Sequence, residues 1–189
     1  MKSNLLFALL AASCLQFSTA ALAEDAKPIK IAAINIQQIM SDSTAAKSVR
    51  EQLETKQKAF QAEITKKEES LQKEDQELAK QKTVLAKEAF EKKALEFRKK
   101  ASEVQKEVQA KKALLDSGFE HALNDIQKSV NEVIADLAKE KGFTLAVPTS
   151  QILYADPSMD VSKEVLERLN KKLPTVTVKF DEAKAVEKK

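Results

Sequence analysis

The side chains that usually carry covalent or metal chemistry are scarce in this sequence. Cysteine occurs once, at Cys14, histidine once, at His121, and glycine twice, at Gly118 and Gly142. A zinc site needs three or four converging Cys, His or carboxylate donors. A nucleophilic triad needs a hydroxyl or thiol beside a histidine base, and a phosphate loop needs glycines between a strand and a helix. None of these sets can be assembled here, so no cofactor and no enzymatic activity are expected. The carboxylates are numerous, but glutamates flanked by lysines at helical spacing are most economically paired or solvated. His121 reads as a surface side chain on a charged helix. Asn35, a polar residue in an apolar run, must face solvent or find hydrogen-bond partners, and a structural role is favoured over ligand binding. Tyr154 reads as a core or subunit-contact residue.

The first 23 residues have the order of an export signal. Lys2 is followed by the apolar run "LLFALLAA" and then small residues ending at Ala21-Leu22-Ala23. This is a basic segment, a short apolar segment and an A-x-A site, predicting cleavage before Glu24. The apolar run is too short for a membrane span. The residues before Cys14 make a poor lipoprotein cleavage box, so cleavage after Ala23 is favoured over lipidation at Cys14. Cleavage after Ala23 leaves a chain without cysteine, hence without disulfide or thiol chemistry, in an oxidising compartment.

Composition argues for an elongated molecule: 32% of residues are charged and 5% aromatic. The formal charge of +3 falls to +2 once Lys2 leaves with the signal, a balance that does not predict nucleic-acid binding. The charge is nevertheless uneven. Residues 78–112 hold eleven Lys and Arg against five Glu, while residues 120–140 hold five acidic residues against two lysines. A basic middle can attract acidic surfaces or clients at long range.

The elements follow from the pattern. "IKIAAINIQQIM" (29–40) opens with a β-branched run that predicts a strand over 29–36. Asp42, Ser43 or Thr44 can cap the helix that follows. No proline lies between Pro28 and Pro148, and residues 45–140 are mostly strong helix formers. Ala46, Leu53 and Phe60 form one heptad column, and Ile64, Leu71, Leu78 and Leu85 form the other. Lys67, Glu74 and Gln81 interrupt the first column, leaving the seam half filled beyond Phe60. A second register joins Phe97 with Val104, then Ala101, Val108, Leu115 and Ala122, with Phe119, Ile126 and Val133 alongside. The two registers lose phase at about 86–96.

A single helix across this tract would be about 145 Å long, and the lack of turn residues in 76–115 favours it. The ends argue the other way. After Gly142, placed as a helix C-terminal cap, "KGFTLAVPTSQILYA" (141–155) offers further short apolar strands around Phe143, Leu145 and Val147 and around Ile152, Leu153 and Tyr154. Such strands are too short to stand alone. They can share a sheet with residues 29–36 only if the helix folds back, which predicts a hairpin with nearly equal legs and a tip near 84–94. A last helix carries Val165, Leu166 and Leu169 on one stripe before Pro174; the segment after it, 174–189, can begin extended before becoming a charged tail whose last dozen residues are expected to be mostly disordered. The remaining base is marginal as an independent core, which oligomerisation would relieve.

With the signal, "IKIAAINIQQI", the charged helical middle, "KGFTLAVPTSQILYA" and "DVSKEVLERLNKK" (160–172) in this order, the chain resembles the Skp/OmpH family of periplasmic chaperones over residues 28–172. The two ends of that span carry the specific likeness, and the middle matches only in length and character. The resemblance implies an α+β fold: a small β body assembled as a homotrimer, with a long antiparallel helical-hairpin arm from each chain. Carried onto this sequence, the body comprises 24–43 and 142–173, with strands at 29–36, 143–147 and 151–155 and a helix at 161–172. The arm is 44–141.

The resemblance places Ile29, Ile31, Ile34, Asn35, Phe143, Leu145, Val147, Ile152, Leu153, Tyr154, Val165 and Leu169 in the body core or trimer contact. The two heptad registers place Leu53, Phe60, Ile64, Leu71, Leu78, Leu85, Phe97, Val104, Val108, Leu115, Phe119 and Ile126 in the arm seam. Lys80, Lys82, Lys87, Lys92, Lys93, Arg98, Lys99 and Lys100 match the basic arm tip in character. The implied function is ATP-independent holding of unfolded outer-membrane β-barrel proteins in a cavity between the arms. Contact with acidic lipid or lipopolysaccharide surfaces is a further partner class, suggested by charge without a specific motif. A structural or adaptor coiled coil of the envelope also explains the helical tract, but not the strands that enclose it. Nucleic acid is not expected as a partner.

Overall fold

The structure, a computed structural model, describes residues 29–180. The export signal expected at 1–23, Cys14 and residues 181–189 lie outside the described residues. The elements run β1 (Ile31–Ile34), α1 (Ile36–Asp42), α2 (Thr44–Gln81), α3 (Lys87–Lys141), β2 (Leu145–Pro148) and α4 (Ser162–Lys172), with short 3₁₀ turns at Thr149–Gln151 and Pro157–Met159.

The opening apolar run does two jobs instead of one. It is a strand only as far as Ile34; Asn35 then accepts a hydrogen bond from the Gln38 amide at 3.0 Å and starts α1. Ile36, Ile39 and Met40 repeat at helical spacing, and Ile39 is fully buried. The β-branched residues that suggest a strand to position 36 are therefore divided between a strand and a helix by the capping side chain. Ser43 separates α1 from α2 with extended backbone and caps α2 through its hydroxyl, which accepts from the Ala46 amide at 3.2 Å. Asn170 of α4 accepts from the Thr44 amide at 2.9 Å, tying the last helix to the same end.

β1 and β2 pair in parallel, with Ile31 opposite Leu145 and Ile34 opposite Pro148. The fold-back demanded by the end strands is present, but the legs are 38 and 55 residues long and not nearly equal. Parallel pairing explains most of the difference. The chain leaves β1 at its C-terminal end and must re-enter β2 level with the start of β1. The overshoot of α3 past the start of α2 carries it back. The turn itself spans Lys82–Ala86, before most of the expected 84–94. No glycine or proline marks it; amides of Val84 and Leu85 donate to the Gln81 carbonyl at 3.1 and 3.0 Å. Gly142 closes α3 in the left-handed conformation, φ 72°, where a Cβ would be strained.

The third expected strand does not form. Residues 149–151 make a 3₁₀ turn, and Leu153 and Tyr154 in the irregular segment after it are exposed. The other edge of β1 is instead met at one bridge, Ala33 with Asp160. The main core sits where the arm enters the body and joins Ile34, Ile39, Val49, Ile126, Val130, Val133, Leu137, Val165 and Leu169. Residues 175–180 of the tail lie on the core. Val176 and Val178 are 6% and 5% exposed and belong to the same core, because alternate residues of this extended segment face the arm.

Candidate functional site

With no converging catalytic set in the sequence, the candidate site is a surface, and the arm presents most of it. The two legs hold one antiparallel register. Lys67 is ion-paired with Glu107, Glu63 with Lys111, Glu74 with Lys100 at 2.8 Å, and Lys93 donates to Gln81 at 2.7 Å. In every pair the residues lie equally far on either side of position 87. Three of these residues, Lys67, Glu74 and Gln81, are the polar side chains that interrupt the heptad column. The gaps in the seam are therefore filled by partners from the opposite leg.

Lys111 concentrates these contacts. It pairs with Glu63 and Glu107, and its ammonium stands 4.3 Å from the centre of the Phe60 ring. Burial pulls its pKa down, but the two carboxylates outweigh that and leave it above the ordinary lysine value. Glu63 is lowered by its hydrogen bond and attraction to Lys111. Glu107 is lowered chiefly by a hydrogen bond from Lys67. At the body end Arg168 forks onto Glu140 at 2.7 and 2.6 Å and reaches Glu164 at 2.7 Å, joining α3 to α4.

Beside Lys111 the arm opens into a groove of about 510 Å³ whose apolar walls are Leu53, Phe60, Ile64, Val108, Leu115 and Phe119. All six are placed in the seam by the sequence, but only Ile64 is buried, and Val108 and Phe119 are exposed. Of the expected column only Ala122 is buried at this level of α3; the other buried positions are Leu114 and Gly118, each one residue before an expected seam position. Leu71, Leu78, Leu85, Phe97 and Val104 are half-buried along the outer arm, and Ile126 is fully buried at the root.

The tip is open and basic. Lys80, Lys82, Lys87, Lys92, Lys93, Arg98, Lys99 and Lys100 are all exposed. Only Lys93 and Lys100 among them have side-chain partners among the described residues, leaving the other six cations available at the distal end.

The body divides the expected core into two groups. Ile34, Phe143, Val165 and Leu169 are buried, and Asn35, Val147 and Ile152 are half-buried. Asn35 is a structural cap whose own amide donates to the Ser162 hydroxyl at 2.7 Å. Ile29, Ile31, Leu145, Leu153 and Tyr154 are exposed in the single chain. Ile31 and Leu145, 40% and 48% exposed, are directly opposed across the parallel pair. The sheet therefore exposes an apolar pair, the segment after it exposes two more apolar side chains, and among the described residues the outer edge of β2 has no strand partner.

The described residues thus form a long stapled hairpin on a two-stranded parallel body. The family model described as outer membrane protein (OmpH-like) matches residues 30–169. The chain belongs to the OmpH-like family. This is the Skp/OmpH group of periplasmic chaperones, and the periplasmic location and general holdase role of the family extend to this member. Its shared fold is seen in a crystal structure from Caulobacter crescentus CB15, described as a proposed outer membrane chaperone (OmpH-like). The TM-score is 0.76 at 21% identity, covering 82% of this chain and 91% of that one. No curated protein sequence matches the chain. Among the described residues of this OmpH-like protein, no group of three or more Cys, His, Asp or Glu could hold a metal ion.

Gln52 and Gly118, which hold the tail segment, escape the sequence reading. Gly118 carries a signal: a glycine inside a long helix of good formers marks a close approach by something else.

Proposed function

We propose that this OmpH-like protein is an ATP-independent periplasmic holdase that binds unfolded outer-membrane β-barrel proteins between the arms of a homotrimer. The observation that carries the proposal is the apolar groove on the arm, open to solvent and bordered by charge. An unfolded chain offers no fixed shape, so many shallow apolar contacts suit it better than one enclosed pocket. The exposed apolar side chains of the body, Ile31 opposite Leu145 on the sheet and Leu153 and Tyr154 after it, support self-association there, because apolar surface of this kind is covered in a stable assembly. The unpaired cations at the tip support attraction of acidic lipid or lipopolysaccharide headgroups, or of acidic client segments.

The test mixes the purified protein with a urea-unfolded outer-membrane β-barrel and follows light scattering on dilution. Suppression of aggregation near one trimer per client is the expected result. Unchanged aggregation together with binding to a folded envelope protein replaces this reading with that of an adaptor coiled coil.

A further inference from the structure

Residues 175–180, "TVTVKF", lie outside the span matched by the family model but are seated on helices within it. Their exposure alternates strictly: Thr175, Thr177 and Lys179 face out, Val176 and Val178 are buried, and Phe180 is half-buried. This is the side-chain pattern of a strand on a sheet, yet among the described residues no strand pairs with it. Its main-chain groups are met there by one side chain. Gln52 of α2 donates from its amide nitrogen to the Val176 carbonyl at 2.7 Å and accepts the Val178 amide at 3.0 Å on its oxygen. One glutamine thus offers a donor and an acceptor to alternate residues, as an adjacent strand would.

The groove also has a floor suited to a main chain. A Cβ added at Gly118 would lie 2.9 Å from a methyl of Val178, 3.1 Å from the Lys179 carbonyl and 3.3 Å from the Phe180 ring. Alanine would favour the helix more than glycine does, so the missing side chain is explained by the segment that lies over it. Beyond Gly118 the seat leads into the open groove, since the Lys56 ammonium stands 5.6 Å from the Phe180 ring and 4.8 Å from that of Phe60.

We propose that the Gln52–Gly118 seat is a binding site for an extended peptide with alternating apolar residues, and that residues 175–180 are a built-in occupant displaced by client. The proposal rests on the holdase reading for the identity of the displacing chain. Strands of outer-membrane barrels alternate apolar and polar residues and carry aromatics near their ends, the pattern of "TVTVKF" itself. A seat that satisfies backbone groups and takes every second side chain reads that pattern and little else. Displacement would join the seat to the groove around Phe60 and extend the apolar surface toward the body.

The test uses the full chain and a fluorescein-labelled peptide Thr-Val-Thr-Val-Lys-Phe, with binding read by anisotropy. The variant Val176→Asp/Val178→Asp releases the occupant and should bind the peptide at least about tenfold more tightly than the unaltered protein, as for a site otherwise nine-tenths filled. Adding Gly118→Leu should abolish that gain, and a peptide of the same composition with the alternation broken should not show it. Equal affinity before and after release, or a gain that survives Gly118→Leu, overturns the proposal. Hydrogen exchange on the unaltered protein gives a second measurement independent of any variant's folding. Protection of the Val178 amide should fall at least about tenfold when an unfolded β-barrel client is bound, and unchanged protection in that complex overturns displacement. Aggregation is followed in the same samples. A protein that binds the peptide but does not hold the client loses the holdase reading and keeps the seat.

Discussion

Ile31 and Ile34 lie three residues apart in one strand and have opposite fates. Ile34 is among the most deeply buried side chains, whereas Ile31 is substantially exposed opposite Leu145. Ile34→Ala leaves a cavity in the core of the single chain and should cost about 2–5 kcal/mol, seen as a lower melting temperature at fixed protein concentration. Ile31→Asp places a charge on the exposed apolar pair and leaves that core intact. It should preserve the helical signal while reducing the mass in light scattering from that of the proposed trimer to that of one chain. A trimer of undiminished stability in Ile31→Asp removes this face from the assembly. Asn35 belongs to the same scale: loss of its cap in Asn35→Ala should cost about 1 kcal/mol, without effect on client contacts.

The arm is an element whose two legs are registered by charge as much as by apolar packing. Exposed pairs of this kind stabilise little singly, but several in one register oppose sliding of the legs. Glu63 and Glu107 have lowered pKa values and Lys100 and Lys111 raised ones. The carboxylate contribution is complete above the ordinary glutamate value of 4.5 and is lost as pH falls below it through the lowered values. The lysine contribution is complete below the ordinary value of 10.5 and is lost as pH rises through the raised values. Melting of the helical signal by circular dichroism should therefore be level between these limits and fall on both sides. A melting temperature that does not change between pH 6 and about 3 would mean that the pairs do not hold the legs. Much of this element was legible in sequence. Proline-free helix formers gave the arm, and the need for end strands to meet gave the fold-back. The turn was placed late because Lys82–Ala86 contains no residue that demands a turn, and the loss of heptad phase begins only after it. The filling of Lys67, Glu74 and Gln81 was hidden because each partner lies on the other leg, and only the register brings them together. The tail strap was masked by the charged composition around a six-residue alternation.

Across the whole molecule, charge and apolar surface are separated along the arm, with unpaired cations at the tip and the groove nearer the root. This separation assigns them to different stages of client binding. Long-range attraction acts before contact and raises the association rate, while apolar burial acts after contact and slows release. Reversing tip charge with Lys87→Glu/Lys92→Glu/Lys99→Glu should lower the association rate of an acidic unfolded client by about tenfold at low salt. The difference should vanish near 1 M salt, where screening acts within about 3 Å. Phe119→Ser, in the groove, should leave the association rate and its salt dependence in place and raise the dissociation rate. Stopped-flow mixing with a dye-labelled client, followed by dilution into unlabelled client, reads the two rates separately. If the tip reversal changes only dissociation, the cations are contact residues and not a steering field, and the division of labour along the arm is wrong.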